Sequence, residues 1–358
     1  MKKLIRLELR KIFSKRFTLL ALAAGLLLSA FLAFSTYQNK YASDGAGKEG
    51  TGRTAVEIDK AIAARYSGTL TDEKVQQMIS EIVPKSGENG LNAIYLYQNT
   101  IQSAVSARFS DIYGNWNGLR VSDVFGDENI KIGYVDGWLS TSQNMTRVLV
   151  IFSFFIIVMI APVFCGEYNG VDNIILSSKY GRTKCAAAKV IAGIMAALIT
   201  TAIVLAVNLL MGFVFYGSEG LDCSILFAQL TYIEGGIPFN ITCGTLLAYQ
   251  ALLAVTCVLG VTGITLLFSA ACRNQMIALV ASAAVYALPI LFPVAEKSTL
   301  FRLVALLPIY HAQFVSLMSV EQVRGMLLYA IWAVPAALIL IAAGGIFSRR
   351  IFAGHQVS

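Results

Sequence analysis

The stretch from Cys165 to Lys189 reads CGEYNGVDNIILSSKYGRTKCAAAK and is a polar interruption between two long apolar runs. The run before it ends at Phe164, and the run after it begins at Val190. A helix of about 20 apolar residues is long enough to cross the roughly 30 Å core of a bilayer. We therefore interpret this stretch, called the connector below, as a short link between two transmembrane helices and not as a catalytic site.

The composition of the whole chain supports a membrane location. The chain has 358 residues, of which 56% are hydrophobic and 14% are charged, and its mean hydropathy is +0.66. Such a chain is too apolar for an ordinary soluble enzyme. The six candidate spans are Phe17–Thr36, Val148–Phe164, Val190–Tyr216, Thr245–Ala271, Met276–Ala295 and Met326–Phe347. The sequence therefore predicts an all-α integral membrane protein with six transmembrane helices.

None of the six spans contains Asp, Glu, Lys, Arg or His. A charge at the centre of a span costs about 2.5 to 3.5 kcal/mol and is normally kept for function. Its absence argues against a carrier driven by protons or metal ions. Asn208, Gln250, Thr200 and Thr201 could line a polar path, but hydrogen bonding to neighbouring helices or backbone is the favoured interpretation.

The basic residues predict the orientation. The segments placed inside hold fourteen basic and three acidic residues, whereas the Gly217–Gly244 loop has three acids and neither Lys nor Arg. By the positive-inside rule, both termini and the connector are cytoplasmic, and the protein is a multi-pass protein of the cell membrane. The positive net charge of +7 then reflects topology and not nucleic-acid binding.

A soluble, mainly helical domain of about 110 residues is predicted outside the membrane, between the first and second spans at 37–147. Thr71 can cap a helix whose apolar residues recur at helical spacing until Pro84. A second helix is expected at about Leu91–Phe109, with Ile101 and Ala104 on one side.

Three aromatic residues, Tyr113, Trp116 and Trp138, follow these helices before the second span. They could form a surface for a substrate or partner. We favour the domain core and interfacial anchoring, because Trp and Tyr prefer that depth of the membrane.

Two segments outside the spans are expected at membrane surfaces. Residues 1–16 combine an apolar face with basic residues and predict an amphipathic helix on the inner leaflet. Thr299–Met318 is apolar but contains Arg302, His311 and Pro308. We interpret it as a re-entrant or interfacial segment on the outer face.

Within the connector, Val171, Ile174 and Ile175 recur at helical spacing. Gly181 can adopt the left-handed conformation that ends a helix, and Thr183 can cap the next one. These signals predict a helix of about ten residues, roughly 15 Å long. Its apolar face is available to a soluble cytoplasmic partner.

The connector resembles a known family at several positions. Glu167, Gly170, the Ile-Ile-Leu-Ser-Ser run at 174–178, Arg182 and Lys189 are similar to the Glu, Gly, Leu-rich, Ser-x-x-x-Arg, then Lys pattern of type 2 ABC transporter permeases. The six spans and the large loop after the first are similar to that family as well. So is Glu-Leu-Arg-Lys-Ile-Phe before the first span.

This resemblance implies the permease subunit of an ATP-driven exporter. The connector, with Glu167, Gly170, Ile174, Ile175, Arg182 and Lys189, would couple it to a separate ATPase subunit. Glu167 would be a buried hinge acid at the end of the second span. Arg182 and Lys189 would anchor the connector to phosphates or to the partner, although both also fit as ordinary positive-inside residues.

The chain has no Gly-x4-Gly-Lys-[Ser/Thr] loop, so a partner must bind ATP and Mg²⁺. We expect no enzymatic activity and no cofactor in this chain. The expected partners are the ATPase, a second permease copy, identical or different, and membrane lipids. The cargo would be lipidic, a peptide or drug-like. The alternative is a membrane sensor or assembly factor whose extracytoplasmic domain binds a ligand.

The six cysteines form no metal-binding pattern. Cys223 and Cys243 fall on the predicted outer side, where a disulfide and two free thiols are equally compatible with the sequence. His311 and His355 fall on opposite sides of the membrane in this topology. We therefore expect no metal site.

Overall fold

The computed structural model describes residues 1–85, 99–168, 171–228, 240–291, 299–313 and 326–354. The chain divides into two compact units. The first unit comprises Met1–Ser29, Met145–Val207 and Gln250–Ser358, and the second comprises Ala30–Asn144 and Asn208–Tyr249. Each unit is thus assembled from separate stretches of the chain.

Helices dominate the described residues. In chain order they are α1 (Lys2–Ser14), α2 (Arg16–Asn39), α3 (Arg53–Arg65), α4 (Asp72–Glu81), α5 (Thr100–Phe109), α6 (Val121–Phe125), α7 (Asp136–Ile160), α8 (Pro162–Cys165), α9 (Val171–Ser177), α10 (Ala186–Tyr216), α11 (Cys243–Ala271), α12 (Gln275–Leu291), α13 (Thr299–Val304), α14 (Pro308–Ala312) and α15 (Met326–Gly354). A π-helix, Gly181–Cys185, lies between α9 and α10.

Among the described residues, five helical segments are long and apolar enough to cross a membrane. They are Arg16–Asn39, Asp136–Cys165, Gly181–Tyr216, Cys243–Ala271 and Ile331–Gly354. This confirms the predicted class, an all-α multi-pass membrane protein. The predicted span Met276–Ala295 corresponds to α12, which has 17 described residues up to Leu291, and the rest of that span, 292–295, lies outside the described part of the chain. The count of six spans and the sidedness stay predictions.

Three polar side chains inside the spans bond within the protein. The hydroxyl of Thr200 donates to the carbonyl of Ala196 at 2.9 Å, and that of Thr201 donates to Ala197 at 2.8 Å. The Gln250 amide donates to the Thr146 hydroxyl at 2.8 Å. For these three residues, the favoured interpretation of helix and backbone bonding is confirmed.

The N-terminal segment forms the predicted helix, α1. Ile12 is buried, as expected for its apolar face, whereas Lys2, Lys3 and Arg6 are exposed. Glu8 is also buried. Its position four residues before Ile12 places a carboxylate on the apolar face of the helix.

The predicted re-entrant or interfacial segment contains two short helices, α13 and α14. Pro308 stands at the start of α14, where its missing N–H removes no helical hydrogen bond. Neither helix is long enough to cross a membrane. Residues 314–318 lie outside the described part of the chain.

In its described residues, the second unit contains two small antiparallel sheets. Strands β1 (Tyr41–Ser43) and β2 (Glu49–Thr51) pair with Ala42 opposite Gly50. Strands β3 (Gly68–Thr69) and β4 (Lys131–Ile132) pair with Gly68 opposite Ile132. Helices α3 to α6 complete a mainly helical fold.

The helix signals of this unit are confirmed where they can be compared. Thr71 caps α4, since its side chain accepts a hydrogen bond from the backbone N–H of Lys74, and Val75 and Met78 are buried. The second predicted helix is α5, capped by Asn99. Its predicted first part, 91–98, lies outside the described residues.

The core of the second unit also draws on the chain after α10. Phe227 packs in the same core as Val75 and Phe109. Trp138 is fully buried and donates its indole N–H to the carbonyl of Glu219 at 2.8 Å. Trp138 is therefore a core residue, as favoured from the sequence, and this unit extends beyond the predicted insert at 37–147.

Candidate functional site

The connector contains a helix, as predicted, but a shorter one. α9 has seven residues, so it is about 10 Å long at 1.5 Å per residue. A turn and the π-helix then lead into α10. Gly170 lies outside the described residues.

Position 181, after α9, requires glycine for a different reason from the one predicted. It is absent from the glycines with a positive φ, and a Cβ at this position would lie 1.6 Å from the carbonyl oxygen of Ile175. The close approach of the chain, and not a left-handed turn, therefore requires glycine. The cap at Thr183 is also wrong, because Thr183 lies within the π-helix and α10 begins at Ala186.

One surface of the connector is exposed. Ile174 is 73% exposed and Tyr180 is 48% exposed, whereas Ile175 is half-buried. The ammonium of Lys184 lies 4.0 Å from the centroid of the Tyr180 ring, and that of Lys179 lies 5.5 Å from it. We call Ile174, Tyr180 and Lys184 the connector surface. It combines apolar, aromatic and cationic groups.

Arg182 attaches the connector to the end of another helix through its guanidinium group. Its Nε donates to the carbonyl of Leu176 at 3.3 Å, and its Nη1 donates to the carbonyl of Ala353 at 3.1 Å. Carbonyls at the C-terminal end of a helix lack helical partners and carry partial negative charge. Arg182 therefore fastens the end of α9 to the end of α15.

A second attachment is a cluster of four charged side chains, Glu8, Lys11, Glu167 and Lys189, called the hinge cluster below. The ammonium of Lys189 lies 2.6 Å from Glu167 Oε1 and 3.1 Å from Glu8 Oε2. The ammonium of Lys11 lies 3.0 Å from Glu8 Oε1 and 3.1 Å from Glu167 Oε1. The cluster joins α1, the turn after α8 and the first part of α10.

Burial makes these charges depend on one another. The Lys189 side chain is 1% exposed, and the two glutamates are largely buried. A charge held away from water is tolerated only when it is paired and hydrogen-bonded. Lys189 also donates to the carbonyl of Val163 at 3.4 Å. Glu167 Oε2 is buried without a hydrogen-bond partner among the described residues.

Two lysines at the edge of the cluster respond differently to their surroundings. Burial alone would lower the pKa of Lys11, but hydrogen bonds and charge from Glu8 and Glu167 outweigh it and raise that pKa. Burial lowers the pKa of Lys15, whose Nζ donates to the carbonyl of Pro162 at 3.5 Å. The carboxylates thus hold Lys11 in its charged form.

The structure brings together some of the predicted residues and adds others. Glu167 and Lys189 meet in one ion cluster, Arg182 lies at the end of α9, and Ile174 faces outward. Lys189 faces carboxylates of its own chain, so any part it takes in coupling passes through Glu167 and Glu8. Glu8 was missed as a site residue, although one acid on the apolar face of a basic helix was a signal for it.

The remaining candidates lie elsewhere. Cys223 and Cys243 belong to the second unit, and both are buried and present as thiols in the structure, so their pairing stays a prediction. In the described parts of the chain, no three His, Cys, Asp or Glu side chains are grouped so as to hold a metal ion.

Comparison of the chain with protein-family models, with curated proteins and with solved structures finds no match.

Proposed function

We propose that this chain is the permease subunit of an ATP-driven ABC exporter in the cell membrane, with both termini in the cytoplasm. It would work with a separate ATPase subunit, which binds ATP and Mg²⁺, and with a second permease copy. It is not itself an enzyme in this proposal. The observation that carries the proposal is the connector surface, an exposed apolar and cationic face on the segment that links two apolar spans.

The two attachments of the connector support a coupling role. A partner that pushes on Ile174 acts on a helix held by Arg182 to the end of α15. The same connector continues into α10, whose Lys189 is bound to Glu167 and Glu8. A displacement of the connector must therefore either move these elements or break buried ion pairs. The first outcome transmits motion to several helices at once.

The exposed side chains also indicate the chemistry of the partner. Ile174 offers an apolar contact. The Tyr180 ring, with the ammonium of Lys184 over it, offers a contact that is both aromatic and cationic. A matching surface on the ATPase would present an apolar groove with acidic residues at its rim. The lipidic, peptide or drug-like cargo rests on the absence of ionisable residues from the predicted spans.

Purification of the full chain from its native membranes tests this function. Wild type is expected to carry ATPase activity stimulated by its cargo, and Ile174→Glu is expected to lose at least about tenfold of that activity. Ile112→Glu is the matched control, because Ile112 is 69% exposed in the second unit. A fully active exporter purified without an ATPase would refute the proposal.

A second candidate is the membrane sensor or assembly factor, which one feature of the second unit favours. A loop with internal hydrogen bonds exposes Tyr113 and Trp116. The carboxylate of Asp111 accepts hydrogen bonds from the backbone N–H of Tyr113 at 2.9 Å and of Asn115 at 2.8 Å. A pair of exposed aromatic residues on a loop whose backbone is hydrogen-bonded suits ligand capture. A signalling output that survives Ile174→Glu but is lost in Trp116→Ala would favour this candidate.

A further inference from the structure

We propose that Cys223 and Cys243 close a disulfide bond that fastens the segment after α10 to the start of α11. This inference goes beyond transport, because it does not require an ATPase. It requires only that the second unit be exposed to an oxidising compartment, as the predicted topology places it.

The backbone register places the two cysteines opposite each other. Ser224 and Thr242 form an antiparallel bridge. Hydrogen bonds flank it on both sides, from the N–H of Ile225 to the carbonyl of Ile241 at 3.0 Å and from the N–H of Cys243 to the carbonyl of Cys223 at 3.1 Å. One step along this register, Cys223 faces Cys243. Opposed residues at a hydrogen-bonded position have Cα atoms about 5.5 Å apart, within the range that a disulfide spans.

The surroundings of the pair leave room for sulfur and exclude competing thiols. A Cβ on Gly133 would lie 2.5 Å from the Sγ of Cys223, so only glycine leaves this space open. The other four cysteines of the chain belong to the first unit. Cys223 and Cys243 are therefore the two cysteines of the second unit, and they are paired by register.

The bond forms by thiol–disulfide exchange with a disulfide oxidant, either a small disulfide or a disulfide-exchange protein. One cysteine thiolate attacks the oxidant, forms a mixed disulfide and releases the first thiolate. The second cysteine thiolate then attacks the mixed disulfide, forms the Cys223–Cys243 bond and releases the other thiolate. Two cysteine thiols lose two electrons and two protons, and the oxidant becomes two thiols.

Burial indicates when this exchange takes place. Burial and the neighbouring Asp222 raise the pKa of Cys223, so little thiolate is available once the unit has folded. Both side chains are also closed to large reagents in the folded unit. Exchange therefore belongs to the folding phase, before the core closes, and the completed bond is protected from reductant.

The bond would secure contacts that the second unit already uses. The guanidinium of Arg108 donates to the carbonyls of Leu226, at 2.9 Å, and Phe227. Phe227 also packs in the core of the unit. A cross-link at Cys223 restrains this segment in the unfolded chain as well, and so stabilises the fold.

Thiol labelling of the full-length protein in its membranes tests the pairing. Free thiols are blocked with N-ethylmaleimide in denaturant, the sample is reduced, and newly released thiols are labelled with a polyethylene-glycol maleimide. Wild type is expected to gain two labels after reduction and none without it. Cys223→Ser and Cys243→Ser are each expected to gain none, whereas Cys257→Ser, a buried cysteine of the first unit, is expected to gain two.

A wild type that gains no label after reduction would overturn the proposal, and so would two labels that persist in Cys223→Ser. Thermal unfolding provides a second measurement. Reductant during denaturation is expected to lower the unfolding midpoint of wild type by several degrees and to leave Cys223→Ser/Cys243→Ser unchanged. If the chain had no ATPase partner, the expected labelling and unfolding results would be unchanged. The failure of one proposal can therefore be distinguished from the failure of the other.

Discussion

Each unit contains a cluster of buried charges, and the two clusters are balanced differently. The hinge cluster of the first unit has two lysines and two glutamates. The second unit has one lysine between two aspartates: the ammonium of Lys40 lies 2.6 Å from Asp59 Oδ2 and also contacts Asp136. The hinge cluster is in contact with solvent at Lys11, because the side chain of this lysine is 52% exposed.

The unequal balance appears in the titration of the second cluster. Burial raises the pKa of Asp59 to about 6, and the charge of Asp136 adds to this, although Lys40 opposes it. Asp136 and Asp59 in turn raise the pKa of Lys40 against the effect of its burial. We infer that the second cluster has a structural role, in which its ion pairs hold α3 and α7 to Lys40, the residue after α2. The balanced hinge cluster includes residues at both ends of the connector, and the proposed coupling would involve this cluster.

The largest expected effect comes from removing the centre of the hinge cluster. Lys189→Met leaves two carboxylates in a buried site without their main partner, and we expect a loss of about 3 to 5 kcal/mol in unfolding free energy. Thermal or denaturant unfolding in detergent measures this loss. Lys179→Met, at an exposed lysine of the connector, is the matched control and should differ little from wild type. Equal stability of the two variants would contradict the burial of Lys189.

The Asp59 site predicts a pH dependence of opposite sign from that of an ordinary ion-paired aspartate. Its pKa is 3.8 in an unperturbed chain and about 6 in the folded protein. Between these values the unfolded chain releases its proton first, so stability falls by about 2 to 3 kcal/mol as pH rises, and this contribution is constant above pH 6.

Asp59→Asn is expected to abolish this fall, as measured by unfolding between pH 4 and pH 7. Asp127→Asn, at an exposed acid of the same unit, should keep the wild-type slope. If Asp59→Asn also keeps it, Asp59 does not titrate as described.

A smaller effect is expected at Gly181, which lies between α9 and Arg182 in the connector. Gly181→Ala places a methyl group against the carbonyl of Ile175, so the chain must shift at a loss of about 1 to 3 kcal/mol. Under the proposed function, we expect ATP-driven transport to fall more than the yield of folded protein. Gly354→Ala is the control, because a Cβ there meets nothing within 4 Å. Normal transport by the Gly181→Ala variant would show that transport does not depend on the geometry of the connector at this position.

The smallest effect is expected at the edge of the hinge cluster. Lys11→Met removes ion pairs from a half-exposed side chain, which should reduce stability by less than about 1 kcal/mol. Because the folded pKa of Lys11 is raised, its contribution is present below its ordinary pKa of 10.5 and is lost as pH rises beyond it. Unfolding at pH 8 and pH 11 measures this change against Lys3→Met. A loss as large as that of Lys189→Met would place Lys11 at the centre of the cluster.

Features that depend on neighbouring residues in sequence could be predicted. Long apolar runs gave the spans because the bilayer sets their length. Thr71 and the apolar spacing that follows it gave α4 because a cap and a helical face are local properties. The short helix of the connector followed from the same spacing.

Features that depend on contacts distant in sequence could not be predicted. Glycine at 181 is required by the carbonyl of Ile175, which only the folded turn brings near. The pairing of Glu8 with Lys189 joins residues 181 positions apart. The addition of Phe227 to the core of the second unit is equally non-local. Sequence patterns alone do not contain these contacts.

Site-specific photo-cross-linking tests most directly whether the connector surface contacts an ATPase, as proposed. A photoreactive phenylalanine analogue replaces Ile174 in the full chain, and Ile112 in the control, and native membranes are irradiated. We predict that position 174 cross-links to a polypeptide with a nucleotide-binding motif and that position 112 does not. Export-competent protein whose position 174 cross-links only to lipid would contradict the claim.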